Sequence, residues 1–284
     1  MKQIIKTILI YTFYYFKIYS IIRFINYLFR GPNLTILVYH SFTKDEFATE
    51  SVSVSMFEDH VKYLIKNFNV EPIDRVIRRL KQGKRLKRDT LCITIDDGFA
   101  DNYELAYPIL KKYNLSATIF VTAGCLEQPR SLNTSIYNEV RPDKVYTVNK
   151  IDRLDVYRLP KRSMLTWEQA QELAENNIEI GSHTLYHPIL TKIPFSVSEK
   201  EIVLSKQMIE SELNREIKYF AFPNGEYNKL LCETIRRSGY HASFIVKWDV
   251  NYSGQDLYQL IRIPIGNYSA IRLAGKMNMI FSDP

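Results

Sequence analysis

The feature that most constrains the fold is the alternation, repeated about seven times, of short apolar runs with helical patterns. The apolar runs that read as strands lie at 34–42, 91–95, 116–124, 178–183, 217–225, 240–246 and 260–265. Segments between them, such as "SMFEDHVKYLIKNF" (55–68), carry apolar residues at helical spacing. Because strands separated by helices pair in parallel, the alternation predicts an α/β architecture whose parallel sheet is closed or nearly closed.

Polar residues cluster directly after several of these runs. The clusters are His40-Ser41, Asp96-Asp97-Gly98, the segment from His183 to His187, and Pro223-Asn224-Gly225. In parallel β/α barrels the chemistry gathers at the C-terminal ends of the strands. The four clusters are therefore expected at one end of the barrel.

The adjacent carboxylates Asp96 and Asp97 follow a buried strand, where two acids repel each other and are costly to desolvate. A metal would neutralise one of them, and the other could then act as a general base. The alternative is a turn in which one aspartate caps the next helix. Asp101 and Glu104 have capping-box spacing and already offer that cap.

His183 and His187 stand in "GSHTLYHP", a spacing that brings two imidazoles onto one ion. Alone, such a pair is weak support for a metal site. One carboxylate of the Asp pair completes an Asp-His-His triad with open positions, as in catalytic zinc sites. The donor set suits zinc, and Co²⁺, Ni²⁺ or Fe²⁺ would also fit.

The net charge of +7 allows an anionic partner, but the basic residues are spread along the chain. The one dense run, "KQGKRLKR" at 81–88, is interpreted as a solvated helix end and loop, so nucleic-acid binding is not expected. Three cysteines without a CxxC motif indicate reduced thiols in a reducing compartment.

Residues 1–30 are predicted to form a separate amphipathic helix, followed by a catalytic domain at 31–284. The longest uncharged run, Thr7 to Phe16, is too short to cross a bilayer as a helix. The basic residues fall within one arc of a helical wheel, which suits an anionic membrane surface. The alternatives are a helix packed on the domain and an uncleaved signal-anchor.

Three segments resemble the motifs of the polysaccharide deacetylases, carbohydrate esterases that remove N-acetyl groups from sugars. They are "TIDDG" at 94–98, "GSHTLYHPIL" at 181–190 and "FAFPNG" at 220–225, and the similarity runs from about 34 to 265. The resemblance implies a deformed parallel (β/α) barrel. It further implies Asp96 as general base, with Asp97, His183 and His187 as metal ligands.

The third motif departs from the family, which often has Arg and an aromatic residue where this chain has Ala221 and Asn224. The resemblance implies that the backbone N–H of Asn224 supplies the oxyanion contact, so that change matters little. Loss of the arginine removes a partner of Asp96. Arg262 in "LIRIPI" is predicted to replace it, the alternative being a surface or structural arginine.

The late histidine that the family uses as general acid is also absent, since His241 stands at a strand start. "ILVYHSF" is similar to a branch with reordered motifs that acts on poly-N-acetylglucosamine and has its histidine after the first strand. His40 is therefore predicted to be the general acid. His60 is expected to be solvated.

The sequence thus predicts a hydrolase of carbon–nitrogen bonds other than peptide bonds. It would remove the N-acetyl group of an aminosugar in a polysaccharide or lipid-linked glycan, with residues 125–163 shaping the cleft. The alternatives are a catalytically inactive carbohydrate-binding protein and a deformylase of a lipid-linked aminosugar. The expected location is cytoplasmic or peripheral on the inner membrane face, with an exported, signal-anchored form left open.

Overall fold

The computed structural model describes residues 2–49, 51–126 and 163–277. Its strands are β1 (Asn33–Tyr39), β2 (Phe42–Thr43), β3 (Val52–Ser53), β4 (Asn69–Val70), β5 (Thr90–Ile95), β6 (Ala117–Val121), β7 (Ile178–Ser182), β8 (Tyr219–Ala221), β9 (Ala242–Val246), β10 (Asn251–Tyr252) and β11 (Leu260–Pro264). Its α-helices are α1 (Lys2–Tyr15), α2 (Ile18–Arg30), α3 (Val54–Asn67), α4 (Ile73–Lys81), α5 (Tyr107–Lys112), α6 (Trp167–Glu175), α7 (Phe195–Leu213), α8 (Lys229–Arg237) and α9 (Ala270–Met277).

Seven strands close into a parallel barrel. Their order is β1, β5, β6, β7, β8, β9 and β11, and β11 returns to β1. β10 pairs antiparallel with the start of β1, β4 pairs with the start of β5, and β2 and β3 form a separate two-stranded sheet. The predicted (β/α) barrel of about seven strands is confirmed.

The barrel has a packed interior. The rings of Phe120 on β6 and Phe244 on β9 lie with centroids 5.3 Å apart, although these strands are not neighbours. A larger apolar layer lies between the sheet and the helices. Because all seven strands run the same way, their C-terminal ends, with the polar clusters, lie at one end of the barrel.

The N-terminal segment is helical, as predicted, but it forms two helices rather than a single one. The chain breaks at Lys17, which has a left-handed φ of 56°, and the two helices meet at 77°. Ile10 and Tyr19 are both buried. Nine residues apart, they would point to opposite sides of a straight helix. The bend lets both side chains face the domain, where each lies near Gly275 of α9.

The bend also bears on membrane crossing. Within the described residues, no single helix is long and apolar enough to span a bilayer. Taken together, the bent pair of Thr7–Tyr15 and Ile18–Arg30 meets the requirements of length and composition.

His60 is fully buried, so the prediction that it is solvated was wrong. It shares the buried face of α3 with the adjacent Val61 and with Phe57 and Leu64, which lie three and four residues away along the helix. One ring nitrogen bonds the Tyr268 carbonyl oxygen and the other bonds the Tyr39 hydroxyl. Burial lowers the pKa of His60 to about 4, so the ring is neutral in the folded protein.

Lowering the pH from about 7.5 to 4.5 is expected to reduce the free energy of unfolding by about 2–3 kcal/mol through His60 alone. Its pKa is about 4 in the folded chain and about 6.5 in an unfolded chain. Between these values the unfolded chain binds more protons. This contribution is therefore complete above pH 6.5 and is lost as the pH falls toward 4. Urea denaturation of the wild type and of His60→Gln measures the difference.

His241→Gln is the control, because His241 is only half-buried and lies 3.6 Å from Glu216. It should follow the wild type closely. Equal pH dependence in the wild type and His60→Gln would contradict the prediction.

Candidate metal centre and active site

The Asp96-Asp97 pair sits at the end of β5, where the backbone turns sharply. The N–H of Asp96 still donates to the carbonyl oxygen of Tyr39 on β1, at 2.9 Å. Asp97 has a left-handed φ of 77°, followed by Gly98 at 78°. Any Cβ at Gly98 would lie 3.1–3.3 Å from Val121. The turn breaks the alternation of a strand, so both carboxylates reach the same side.

The two histidines come from the loop after β7. The Nδ1 atom of His183 lies 2.8 Å from the carbonyl oxygen of Ala221. Because a carbonyl oxygen can only accept a hydrogen bond, Nδ1 carries the ring proton, and Nε2 is the nitrogen left free as a ligand. It lies 3.6 Å from Oδ1 of Asp97, and Nε2 of His187 lies 3.5 Å from the same oxygen. Three of the predicted site residues thus converge on one point.

These three residues fit a divalent metal. Oδ1 of Asp97 is buried and accepts no hydrogen bond from the residues that the structure describes. Ligands about 2.0–2.1 Å from a tetrahedral ion lie about 3.3 Å from each other, close to the separations found here. The ligand atoms of Asp97, His183 and His187 all lie within 4.8 Å of one another.

Electrostatics also suits a cation at this point. Burial raises the pKa of Asp97, which marks a carboxylate short of compensating partners. Burial and the neighbouring His183 lower the pKa of His187 to about 3, so its ring is neutral and able to ligate. The group lacks the positive charge that an ion would supply.

Arg262 lies inside the barrel, fully buried on β11. Its Nη1 donates to Oδ1 of Asp96 at 2.6 Å and its Nη2 to Oδ2 at 2.7 Å. The guanidinium carbon also stands 5.2 Å from the centre of the Phe120 ring. The structure therefore places Arg262 where the sequence predicted a replacement for the missing family arginine.

The protonation of Asp96 follows from this pairing. Burial alone would raise the pKa of Asp96, but the Arg262 charge, His183 and the two hydrogen bonds lower it to about 2. Asp96 is therefore ionised at neutral pH. The two adjacent aspartates have opposite shifts because only Asp96 has a guanidinium partner.

His40 and Asn224 lie at the same end of the barrel. His40 follows β1 and is exposed, and its charge favours the ionised forms of both Asp96 and Asp97. Asn224 follows β8 in a left-handed conformation, with φ 58°. Its side chain bonds Glu226. The predicted roles of His40 as acid and the Asn224 N–H as oxyanion donor remain predictions.

Two supporting residues were missed from the sequence. Glu201 of α7 is fully buried, and its Oε2 accepts the N–H groups of Leu185 and Tyr186 at 2.9 and 3.0 Å. It thereby holds the loop between the two histidines. Asn102, also buried, donates to the carbonyl oxygen of His40 at 2.8 Å. Nothing in their sequence neighbourhood marks either residue.

Two other expectations are affected. Asp101 forms no side-chain cap; the next helical turn is a π-helix, Asn102–Ala106, and Asp101 instead accepts a hydrogen bond from Asn102. The segment 125–163, predicted to shape the cleft, lies almost entirely outside the described residues.

Comparisons with known proteins agree with the geometry. The sequence profile of the family described as "Polysaccharide deacetylase" matches residues 83–243. YxkH of Bacillus subtilis is 27% identical over 237 residues, 83% of this chain and 72% of YxkH. The poly-β-1,6-N-acetyl-D-glucosamine N-deacetylase of Staphylococcus aureus is 24% identical over 236 residues, 82% of this chain and 74% of that enzyme. The structure of IcaB from Ammonifex degensii matches with a TM-score of 0.70 at 20% identity, covering 88% of this chain and 98% of IcaB.

The profile match spans more than half of the chain, which therefore belongs to the polysaccharide deacetylase family. The resemblance drawn from the three short motifs is confirmed. Membership assigns the chain to the hydrolases that act on carbon–nitrogen bonds other than peptide bonds.

Asp97→Asn and His187→Ala are each expected to abolish zinc binding, because each removes one of three ligands. Asp96→Asn is the matched control, because both oxygens of Asp96 bond Arg262. This variant should retain zinc as the wild type does. The measurement is the zinc content of chelated, reloaded and desalted protein by mass spectrometry. Equal zinc content in Asp97→Asn and Asp96→Asn would contradict the assignment of ligands.

Glu201→Gln is expected to weaken zinc affinity by about 10- to 100-fold, the usual effect of losing a group that orients a ligand. Both loop N–H groups donate to the same carboxylate oxygen, and a neutral amide in its place removes the negative charge that strengthens both hydrogen bonds. Glu199→Gln, on the exposed face of the same helix, is the control. Competition with a zinc-binding dye gives both affinities. Equal affinities would show that Glu201 does not position the loop.

Proposed function

We propose that this protein hydrolyses the N-acetyl amide of an aminosugar in a polysaccharide related to poly-N-acetylglucosamine, releasing acetate. The observation that carries the proposal is the ionised Asp96–Arg262 pair beside the Asp97, His183 and His187 cluster. One carboxylate is thereby kept for proton transfer while the other is left for a cation. Similarity to the Staphylococcus aureus deacetylase supports the choice of substrate.

Asp97, His183 and His187 would hold a divalent ion, proposed to be zinc, and that ion would supply Lewis-acid activation of water and of the amide carbonyl. Co²⁺, Ni²⁺ and Fe²⁺ suit the same donors. All other steps belong to side chains and backbone groups of this chain.

Asp96 accepts a proton from the attacking water, and Arg262 keeps the carboxylate ionised and fixed in direction. The N–H of Asn224 donates to the oxygen of the tetrahedral intermediate, a contribution of about 3 kcal/mol in comparable sites. His40 donates a proton to the departing nitrogen, so the carbon–nitrogen bond breaks to give a free amine and acetate.

The inactive carbohydrate-binding alternative rested on the missing family arginine and the missing late histidine. Arg262 now pairs with Asp96 through both terminal nitrogens, and His40 stands near both aspartates. These contacts favour an active enzyme.

We also propose that the N-terminal helices contact an anionic membrane surface. The proposed location is the cytoplasmic side, peripheral on the inner face, and an exported, signal-anchored form remains the alternative. Exposed apolar side chains on α1 and α2 support this proposal.

The test is acetate release from β-1,6-linked N-acetylglucosamine oligomers by the full chain, after chelation and after zinc is restored. Activity is expected only with the metal. Asp96→Asn and His40→Ala should each lower kcat by roughly 10²–10⁴-fold, the usual effect of removing a general base or acid.

His241→Ala is the control, because His241 lies at the start of β9, away from the strand ends that carry the site. Full activity in Asp96→Asn would refute the catalytic scheme. A zinc-loaded chain that releases no acetate from these oligomers would refute the proposed substrate, and zinc content would separate that result from loss of the metal site.

A further inference from the structure

Helix α2 lies against the end of the barrel at which the strands begin. It leads directly into Asn33, the first residue of β1. One surface cleft is lined by Arg23, Phe24 and Tyr27 of α2 together with Asn69, Arg88 and Asp89, which lie at the starts of β4 and β5. The guanidinium of Arg23 also stands 4.6 Å from the centre of the Phe68 ring. The site residues all lie at the opposite ends of the strands.

The outer face of α2 is apolar and exposed. Phe24, Leu28 and Phe29 have exposed fractions of 61%, 63% and 84%, and Ile21 and Ile25 are also exposed. Large apolar side chains at this density mark an interaction surface rather than scattered surface residues. The inner face meets the domain through the buried Tyr19.

The basic run at 81–88 ends at the cleft beside α2. From the sequence alone this run was interpreted as a solvated helix end and loop, with no binding partner. In the fold it lies just before β5, and Arg88 lines the same cleft as Phe24. Lys84, Arg85 and Lys87 are exposed and form no ion pair with the residues that the structure describes.

We infer that the apolar face of α2 and the basic segment 81–88 form one surface that docks on an anionic lipid bilayer. The apolar side chains enter the interface between head groups and acyl chains, and the free cations meet the lipid phosphates. The positive charges of this surface complement the negative charges of an anionic bilayer, which is why we propose a bilayer as its partner. A second copy of the chain would bring the same cations against each other.

Docking through this surface fixes the direction of the active site. β5 runs from Thr90, next to the docking surface, to Ile95, next to the two aspartates. Five residue steps span about 17 Å, and all seven barrel strands run the same way. The site therefore opens away from the bilayer. Resting on the proposed deacetylase function, this orientation selects glycan chains in the aqueous phase over head groups in the same leaflet.

The docking surface is tested by co-sedimentation of the full chain with phosphatidylcholine vesicles, with and without phosphatidylglycerol. Binding is expected only with the anionic lipid. Replacement of Lys84, Arg85 and Lys87 by Gln should weaken it on the order of 100-fold, because about 1 kcal/mol for each charge is about fivefold in affinity. Leu28→Glu should weaken it by about tenfold or more.

Matched controls use the active-site end of the barrel. Replacement of Lys44, Lys200 and Lys229 by Gln removes three exposed charges there, and Leu230→Glu alters an exposed leucine of α8. Both variants should bind vesicles as the wild type does. All the variants can be assayed for acetate release without lipid, so failure of the proposed function is seen separately from failure of docking.

Orientation is measured by tryptophan quenching with brominated lipids. The two tryptophans stand toward the active-site end: Trp248 follows β9, and Trp167 opens the helix after Leu165, whose N–H bonds the Gly98 carbonyl. Their fluorescence should be unchanged on binding. A tryptophan introduced by Phe29→Trp should be quenched.

Four results would overturn the inference. The first is vesicle binding that the Leu28→Glu and triple Gln variants leave unchanged. The second is quenching of the native tryptophans. The third is a chain that resists extraction from membranes by alkaline carbonate, which would show that residues 1–30 cross the bilayer. The fourth is a dimer of the chain that Leu28→Glu disperses.

Discussion

The ion pair between Arg262 and Asp96 is the interaction on which the rest of the site depends. It joins β11 to β5 across the barrel interior, because β1 lies between those strands. Both partners are buried, and breaking such a pair by removing one partner costs about 3–5 kcal/mol. The pair can form only in a closed barrel, because closure brings β11 next to β1 and so within reach of β5. It also distinguishes the two adjacent aspartates, since Asp96 is held ionised by Arg262 and Asp97 is left free for a cation.

Backbone strain concentrates at the same end of the barrel. Asp97, Thr184, His187 and Asn224 all have left-handed φ values, which non-glycine residues rarely adopt. Conformations of this kind cost about 1–3 kcal/mol each and persist only where the surroundings enforce them. Buried polar contacts supply that enforcement, above all the two hydrogen bonds that Glu201 accepts from the histidine loop. The strained backbone thus lowers the stability of the fold while it directs the ligand atoms to one point.

The two ends of the barrel differ in chemistry. The C-terminal ends of the strands gather acids and histidines around one point, whereas the other end carries free cations and the apolar face of α2. The bend at Lys17 links these features, because it seats α1 and α2 on the domain and leaves the outer face of α2 uncovered. The proposed catalysis and the proposed docking thus lie at opposite ends of one parallel barrel.

The sequence by itself determined the barrel and three of the residues that converge. The local patterns are the alternation of strands and helices, the Asp96-Asp97 turn and the His183–His187 spacing. Such patterns can be recognised in the sequence because they do not depend on distant contacts. Tertiary structure alone decided what depends on distant neighbours. It buried His60, bent the N-terminal helix, brought Glu201 to the histidine loop and the 81–88 segment to α2. Arg262 stands between these cases: the sequence offered it as a partner of Asp96, but only closure of the barrel brings β11 and β5 close enough for the guanidinium to reach both carboxylate oxygens.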